Sequence, residues 1–293
     1  MNCELCPRRC GVDRSVKKGF CGQTDALRIA RAGLHLWEEP CISGTRGSGT
    51  VFFSGCTLKC CFCQNYEISQ ENKGYNISVD GLADIFLDLQ EQGAHNINLV
   101  SPTQFVPSVI KALDIAKPRL KIPVVCNCGG YERVETVKML DGYVDIWLPD
   151  LKYFSPEASK RYSLAEDYFE VASRAVKQMQ RQVGKPVFGE DGLLKKGVLV
   201  RHLLLPTLRH DSAEVIRFLG ESFDPDDILL SVMSQYTPMN RAKDYPEINR
   251  RISTFEYNYV LGEAEKYGFE GYSQERDSAN GCYVPPFEGE KIP

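Results

Sequence analysis

Cysteine is the residue type in this chain most able to do chemistry: twelve occur in 293 residues, and their spacing divides them into groups. Cys56, Cys60 and Cys63 form a C-x3-C-x2-C run within Gly55-Cys56-Thr57-Leu58-Lys59-Cys60-Cys61-Phe62-Cys63. Three thiolates on one loop can hold three irons of a [4Fe–4S] cube and leave the fourth iron open to a substrate or cofactor. The alternatives are a zinc site and packed cysteines. Zinc would want a fourth ligand at knuckle spacing, and the loop offers only Cys61, adjacent to Cys60 and badly placed. Cys3, Cys6, Cys10 and Cys21 add four thiols within 19 residues. So short a segment cannot bury a useful core, so a bound metal is its natural organiser, either zinc or a second iron–sulfur cluster. Cys41, Cys61, Cys126, Cys128 and Cys282 remain, and most of these read as packing residues.

These thiols need elements to position them. From residue 50 onward, apolar β-branched runs alternate with helical patterns. The strands are expected at Thr50–Ser54, Asn96–Ser101, Pro123–Cys128, Tyr143–Leu148, Gly197–Leu205 and Asp227–Ser234. Ser78–Gln92 reads as an amphipathic helix with Leu82, Ile85, Phe86 and Leu89 on one face. Asp211 with Glu214 reads as a capping pair, and Asn249–Tyr267 as a final helix. Six strands, each followed by a helix, predict a parallel sheet. A full eight-unit barrel takes about 250 residues, so six units in residues 50–272 predict a partial, open (β/α)6 TIM-like barrel of the α/β class. Residues 1–49 read as a small Cys-rich metal-binding appendage, and residues 273–293 as a C-terminal tail.

Composition narrows the function classes. The chain is 43% hydrophobic and 25% charged with a net charge of −4, values of an ordinary globular protein without a basic nucleic-acid footprint. No apolar stretch reaches the roughly 18 residues of a membrane span, and the start MNCELCPRRC carries no apolar signal core. With clustered thiols and no export signal, the expected location is the cytoplasm.

The three-cysteine loop, the aromatic Phe62 before its last cysteine, and the six-unit barrel together resemble the radical S-adenosylmethionine (SAM) superfamily. Within it, the chain is most similar to the pyruvate formate-lyase activating enzyme branch and its iron–sulfur homologues with an N-terminal Cys-rich segment. The resemblance implies that the open iron binds SAM. One electron then cleaves SAM to methionine and a 5′-deoxyadenosyl radical, which abstracts a hydrogen atom. It also implies an electron donor of the flavodoxin or ferredoxin class and a glycyl radical enzyme as partner. Other radical SAM enzymes act instead on small molecules, peptides or RNA, and a non-catalytic iron–sulfur or zinc protein is a third possibility.

SAM needs groups for its carboxylate and amine and an apolar cradle for adenine. Phe62 is expected against adenine. Ser101 and Thr103 stand where the superfamily usually has a Gly-Gly-Glu segment that receives the amine, and Asn127-Cys128-Gly129-Gly130 stands where activating enzymes tend to have Asp-Thr-Asn-Gly. The change to Asn127 removes a charge that would help bind a cation, while Gly-Gly suits close backbone approach. Asp150-Leu151-Lys152 resembles the family's Asp-Leu-Lys segment. Residues two apart on a strand share a face, which directs Lys152 to the SAM carboxylate and Asp150 to a cation or ribose hydroxyl. Arg201-His202 interrupts an apolar strand, and a buried, unpaired Arg costs several kcal/mol. One of the two is therefore expected to face the lumen, where an inward Arg201 suits a carboxylate, with His202 either a second ligand or a satisfied core residue. Ser231, Met233 and Gln235 share the lumen face of the last strand.

Overall fold

The computed structural model describes residues 3–269 and 271–273. Its strands are β1 (Arg28–His35), β2 (Ser48–Phe53), β3 (Tyr75–Asn76), β4 (Ile97–Val100), β5 (Val124–Cys128), β6 (Ile146–Pro149), β7 (Val187–Phe188), β8 (Leu194–Leu203), β9 (Leu229–Met233) and β10 (Gly271–Ser273). The helices are α1 (Pro40–Ser43), α2 (Tyr66–Ser69), α3 (Val79–Glu91), α4 (Val106–Ala116) and α5 (Val134–Met139). They continue with α6 (Pro156–Ser163), α7 (Tyr168–Val183), α8 (Arg209–Ser222) and α9 (Thr254–Tyr267).

The expected six strands are β2, β4, β5, β6, β8 and β9. They lie side by side in sequence order, each parallel to the next. A sheet wound in one direction curls into a barrel wall instead of forming a two-sided open sheet. Here the wall ends at β10 on one side and β3 on the other and is not closed. Alternation along each strand sorts the side chains. Val125, Ile146, Leu148, Leu199 and Leu229 pack together inside, while Cys126, Trp147, Val198 and Val200 join the layer that the helices cover. Helix α3 begins where the sequence predicts: the Ser78 side chain accepts the Gly81 N–H at 2.9 Å, and Leu82, Ile85, Phe86 and Leu89 are buried.

Three local expectations are corrected. The boundary at residue 49 falls inside β2. Residues 28–35 form a strand that pairs antiparallel with β2, and α1 inserts Cys41 and Ile42 among the inward leucines and valines, flooring the barrel. The half-exposed pattern of β1 hid it from periodicity. Asp211 does not cap its own helix: α8 starts at Arg209, and the Asp211 carboxylate accepts the Phe154 and Ser155 N–H groups at 3.0 and 2.6 Å, ahead of α6. The last helix starts at Thr254 rather than Asn249, because Ser253 and Glu256 form a capping box there. The tail, apart from Ser273, and Cys282 lie outside the described residues. Among the described residues no helix is long and apolar enough to cross a membrane.

Candidate functional site

The strands deliver their side chains to one cavity of about 220 Å³ at their C-terminal ends. The loop after β2 contributes Cys56, Cys60, Phe62 and Cys63; the wall contributes Val100, Ser101, Asn127, Asp150, Lys152, Arg201 and Met233. The chain leaves β2 through Gly55, whose φ of +81° only glycine adopts freely. Cys60 is buried and accepts a hydrogen bond from Ser163 Oγ at 2.9 Å. Cys56 Sγ accepts the Leu58 N–H at 3.4 Å, and Cys63 Sγ lies 3.3 Å from Ser69 Oγ. Burial, with mutual repulsion, pushes the Cys56 thiol up to about 12 and Cys63 to about 11. Such thiols ionise only against a positive counter-charge, which iron supplies. Cys61 does not line the cavity; it is buried, and its N–H donates to the Tyr162 carbonyl.

No three His, Cys, Asp or Glu side chains among the described residues converge as placed to hold a metal ion. A cube makes a different demand, spreading its thiolates around four irons. Three free thiols of sulfur chemistry on one wall of one cavity fit that group.

Beside the thiols lies a partly buried ionic network. Arg201 Nε donates to Asp150 Oδ1 at 2.9 Å, one terminal nitrogen to Glu38 Oε2 at 3.0 Å and the other to Asn127 Oδ1 at 2.6 Å. Lys152 Nζ donates to the other Asp150 oxygen at 2.6 Å. Asn98 and Asn127 both donate to Glu38 Oε1 at 3.1 Å. Burial alone would raise the Asp150 carboxyl, but Arg201 and Lys152 outweigh it and hold it below the ordinary carboxylate range. Burial raises Glu38 despite Arg201. The Arg201 guanidinium therefore occupies the space between Asp150 and Asn127, supplying positive charge next to the neutral Asn127. Lys152 stands closer to the thiols, and its charge favours ionised Cys60.

Of the residues singled out from the sequence, Phe62, Ser101, Asn127, Asp150, Lys152 and Arg201 meet around the three thiols. Phe62 rests edge-on against Tyr236, centroids 5.7 Å apart. Ser101 holds a left-handed backbone, φ 55°, fixed by its N–H donating to the Asn127 carbonyl at 2.8 Å. Gly130 is required where it stands: a Cβ there would lie 2.1 Å from the Asp150 carbonyl oxygen. Two residues are elsewhere. His202 points to the helix side of β8, buried, with Nδ1 2.6 Å from the Leu151 carbonyl, and burial lowers its pKa to about 4. Thr103 is buried outside the cavity, where its hydroxyl bonds the buried Glu132 carboxylate. Met233 and Gln235 line the cavity, whereas Ser231 is buried below them. Glu38 escaped notice because it belongs to the segment read as an appendage. The adjacent acids of Trp37-Glu38-Glu39-Pro40 were its only signal.

The sequence profile of the Radical SAM superfamily matches residues 50–219. An uncharacterized protein of Methanocaldococcus jannaschii is 33% identical over 281 residues, covering 92% of this chain and 76% of that protein. Among solved structures, a radical SAM methyltransferase from Sphaerobacter thermophilus superposes with a TM-score of 0.52 at 13% identity, covering 78% of this chain and 66% of the other. The structure of anSMEcpe with bound AdoMet superposes with a TM-score of 0.50 at 14% identity, covering 75% and 61%. The chain thus spans about three quarters of its curated relative and less than two thirds of either solved protein. At these identities the structural likenesses concern the fold.

Proposed function

Because this chain belongs to the Radical SAM superfamily, an enzyme superfamily whose members use a [4Fe–4S] cluster and SAM, we propose that its cavity is the site of SAM cleavage and that its target is a backbone glycine of a partner protein. The observation that carries the first half is that Cys56, Cys60 and Cys63 share one cavity wall with Lys152 and Phe62. A [4Fe–4S] cluster held by Cys56, Cys60 and Cys63 would supply the single electron for reductive cleavage of SAM to methionine and a 5′-deoxyadenosyl radical.

The chain's residues do the positioning. Lys152, tied to Asp150 on one side and close to Cys60 on the other, offers its ammonium to the SAM carboxylate. The Ser101 hydroxyl and nearby carbonyls receive the amine, and Phe62 covers the adenine. Arg201 pairs with Glu38 and, together with Lys152, keeps the Asp150 carboxylate ionised and fixed. Apolar Phe52, Val100 and Met233 exclude water from the radical's path.

The glycine target rests on the resemblance of Asp150-Leu151-Lys152 to the activating enzymes, with a glycyl radical enzyme as partner, a flavodoxin- or ferredoxin-class donor and the cytoplasm as location. The departures at Ser101, Thr103 and Asn127 favour a second reading, a radical SAM enzyme acting on a small molecule, another peptide or RNA.

Anaerobically reconstituted protein should show a reduced-cluster EPR signal that changes on adding SAM, and should release 5′-deoxyadenosine. Cys60→Ala should lose both; undiminished 5′-deoxyadenosine from that variant would falsify the assignment. A glycine-centred EPR doublet in a candidate partner after turnover supports the activase reading, and hydrogen transfer to a small substrate instead overturns it.

A further inference from the structure

Residues 3–24 pack against the start of the loop that carries Cys56, Cys60 and Cys63, through Cys21 at Gly55 and Arg8 at Thr57. We infer that Cys3, Cys6, Cys10 and Cys21 hold a second [4Fe–4S] cluster that passes electrons to the first through the contacts joining this segment to the Cys56–Cys63 loop. The inference rests on the reading of that loop given above.

The four thiols are neighbours, Cys3 beside Cys6 and Cys10, and Cys21 beside Cys6 and Cys10, and two of them flank one small residue. A Cβ on Gly19 would meet Cys10 Sγ at 3.3 Å and Cys21 Sγ at 3.5 Å, so a side chain there would intrude between two ligands. The backbone closes the group from the other side, with the Cys3 N–H donating to the Val12 carbonyl at 2.9 Å and the Gly11 N–H to the Cys3 carbonyl at 3.1 Å. Main-chain N–H groups point at the sulfurs: Arg8 at Cys6, Phe20 and Val12 at Cys10, Gln23 at Cys21. Hydrogen bonds to sulfur and partial burial are what set the potential of an iron–sulfur centre. The group is also polar in its exposure. Cys6 and Cys21 are buried toward the barrel at 8% and 6% exposure, while Cys3 and Cys10 reach the surface. Electrons can thus enter on one side and leave on the other.

The buried side meets the first site at three places. A Cβ on Gly55 would stand 2.6 Å from the Cys21 carbonyl oxygen, so Cys21 touches the residue bonded to Cys56. Arg8, two residues after Cys6, donates from Nε to the Thr57 carbonyl at 2.9 Å. A ring path leads to Cys60. Arg8 lies over Tyr131, Tyr131 stacks on Tyr168 at 6.0 Å, and Tyr168 meets Tyr153 at 5.4 Å. Tyr153 Oη is 2.8 Å from Ser163 Oγ, which donates to Cys60 Sγ. A structural zinc would make no use of this contiguity. The segment is already anchored by Arg14, whose guanidinium bonds the Gln104 carbonyl at 2.5 Å and that of Thr24, while Gln104 Nε2 donates to the Ser54 and Gly55 carbonyls.

The step is a pure electron transfer. A one-electron donor protein of flavin or iron–sulfur class is oxidised by one electron and the N-terminal cluster is reduced by one. The same electron then passes to the loop cluster, with no bond or proton changing place.

The test uses full-length, anaerobically reconstituted protein. Elemental analysis should give about eight irons per chain, four per cube, and no zinc. The fully reduced wild type should show an EPR spectrum broadened by coupling between two neighbouring paramagnets. The Cys6→Ala/Cys21→Ala variant should retain about four irons, the SAM-dependent EPR change and 5′-deoxyadenosine formation with dithionite. With a reduced flavodoxin as donor its turnover should drop to the donor-free level. One zinc with about four irons overturns the inference, as do two uncoupled clusters in the wild type or unchanged flavodoxin-driven turnover in the variant. The wild-type measurements decide even if the variant misfolds. A wild type with no SAM-dependent EPR change would instead sink the reading of the Cys56–Cys63 loop, whatever its iron count.

Discussion

Lys152 and Arg201 share a carboxylate, yet the structure gives them different work. Lys152 pairs with Asp150 and faces the thiols, so Lys152→Ala should weaken SAM binding about 10- to 100-fold, the value of one charge-assisted contact. Equilibrium binding measures this, and a change below about twofold removes Lys152 from the SAM site. Arg201 pairs with Glu38 and Asp150 beside the thiols. Its removal strands buried carboxylates, which costs about 3–5 kcal/mol when a buried pair is broken. Arg201→Ala should therefore lower the denaturation midpoint strongly, and a variant as stable as wild type would show that the network is not structural. The sequence made Arg201 conspicuous, since a guanidinium in an apolar strand demands a partner. It did not identify Glu38, which lies 163 residues away.

At the scale of elements, the capping box of α9 has a measurable pH signature. Glu256 accepts from Arg250, from the Ser253 and Thr207 N–H groups and from the Ser253 hydroxyl. These bonds, that with Arg250 foremost, outweigh burial and lower its pKa well below its ordinary 4.5. A depressed carboxyl contributes stability that is present above the unfolded-state value and lost as pH falls through the folded one. His202 acts in the same direction: burial lowers it from 6.5 to about 4, so stability is lost as the pH falls between those values. Each group therefore takes stability out of the urea-denaturation curve as the pH falls, His202 between about 6.5 and about 4 and Glu256 below 4.5, against the opposite contribution of Glu132, whose carboxyl burial pushes up to about 8. Glu256→Gln should flatten the most acidic part of that curve and cost roughly 1 kcal/mol at neutral pH. An unaltered acid limb in this variant would mean that the cap is not formed. Ser253 and Glu256 are a readable S-x-x-E pair, but the sequence reading started the helix at Asn249, because residues 249–253 continue its composition without a visible stop.

For the whole molecule, the N-terminal region divides at about residue 27, not 49. Residues 28–49 complete the barrel: β1 covers the free edge of β2, and α1 with Glu38 fills the floor. A chain beginning at residue 50 should be insoluble or lack a cooperative melt, since it truncates β2, exposes its edge and leaves Arg201 without Glu38. A chain beginning at residue 25 should keep the cooperative melt while losing the four N-terminal thiols. Circular dichroism on both truncations checks this, and an equally cooperative melt from the shorter chain would reinstate the boundary at residue 49.

What the sequence determined alone was whatever depends on local spacing. Six apolar β-branched runs, each followed by a helical pattern, gave the parallel wall, Ser78 and its apolar stripe gave α3, and C-x3-C-x2-C gave the three thiols that share one cavity wall. Alternation along a strand also placed Asp150 with Lys152 toward the cavity, because neighbours two apart must share a face. Tertiary structure decided everything that depends on which distant segments meet. It sent His202 to the helix side and Arg201 to the lumen, a choice of strand register that the adjacent pair leaves undetermined. It brought Glu38 to Arg201 and the Cys21 carbonyl to Gly55, contacts between segments far apart in the chain that no local pattern encodes. The reason is that register and long-range docking are set by burying apolar faces across the whole barrel, and polar side chains take the partners which that packing leaves within reach.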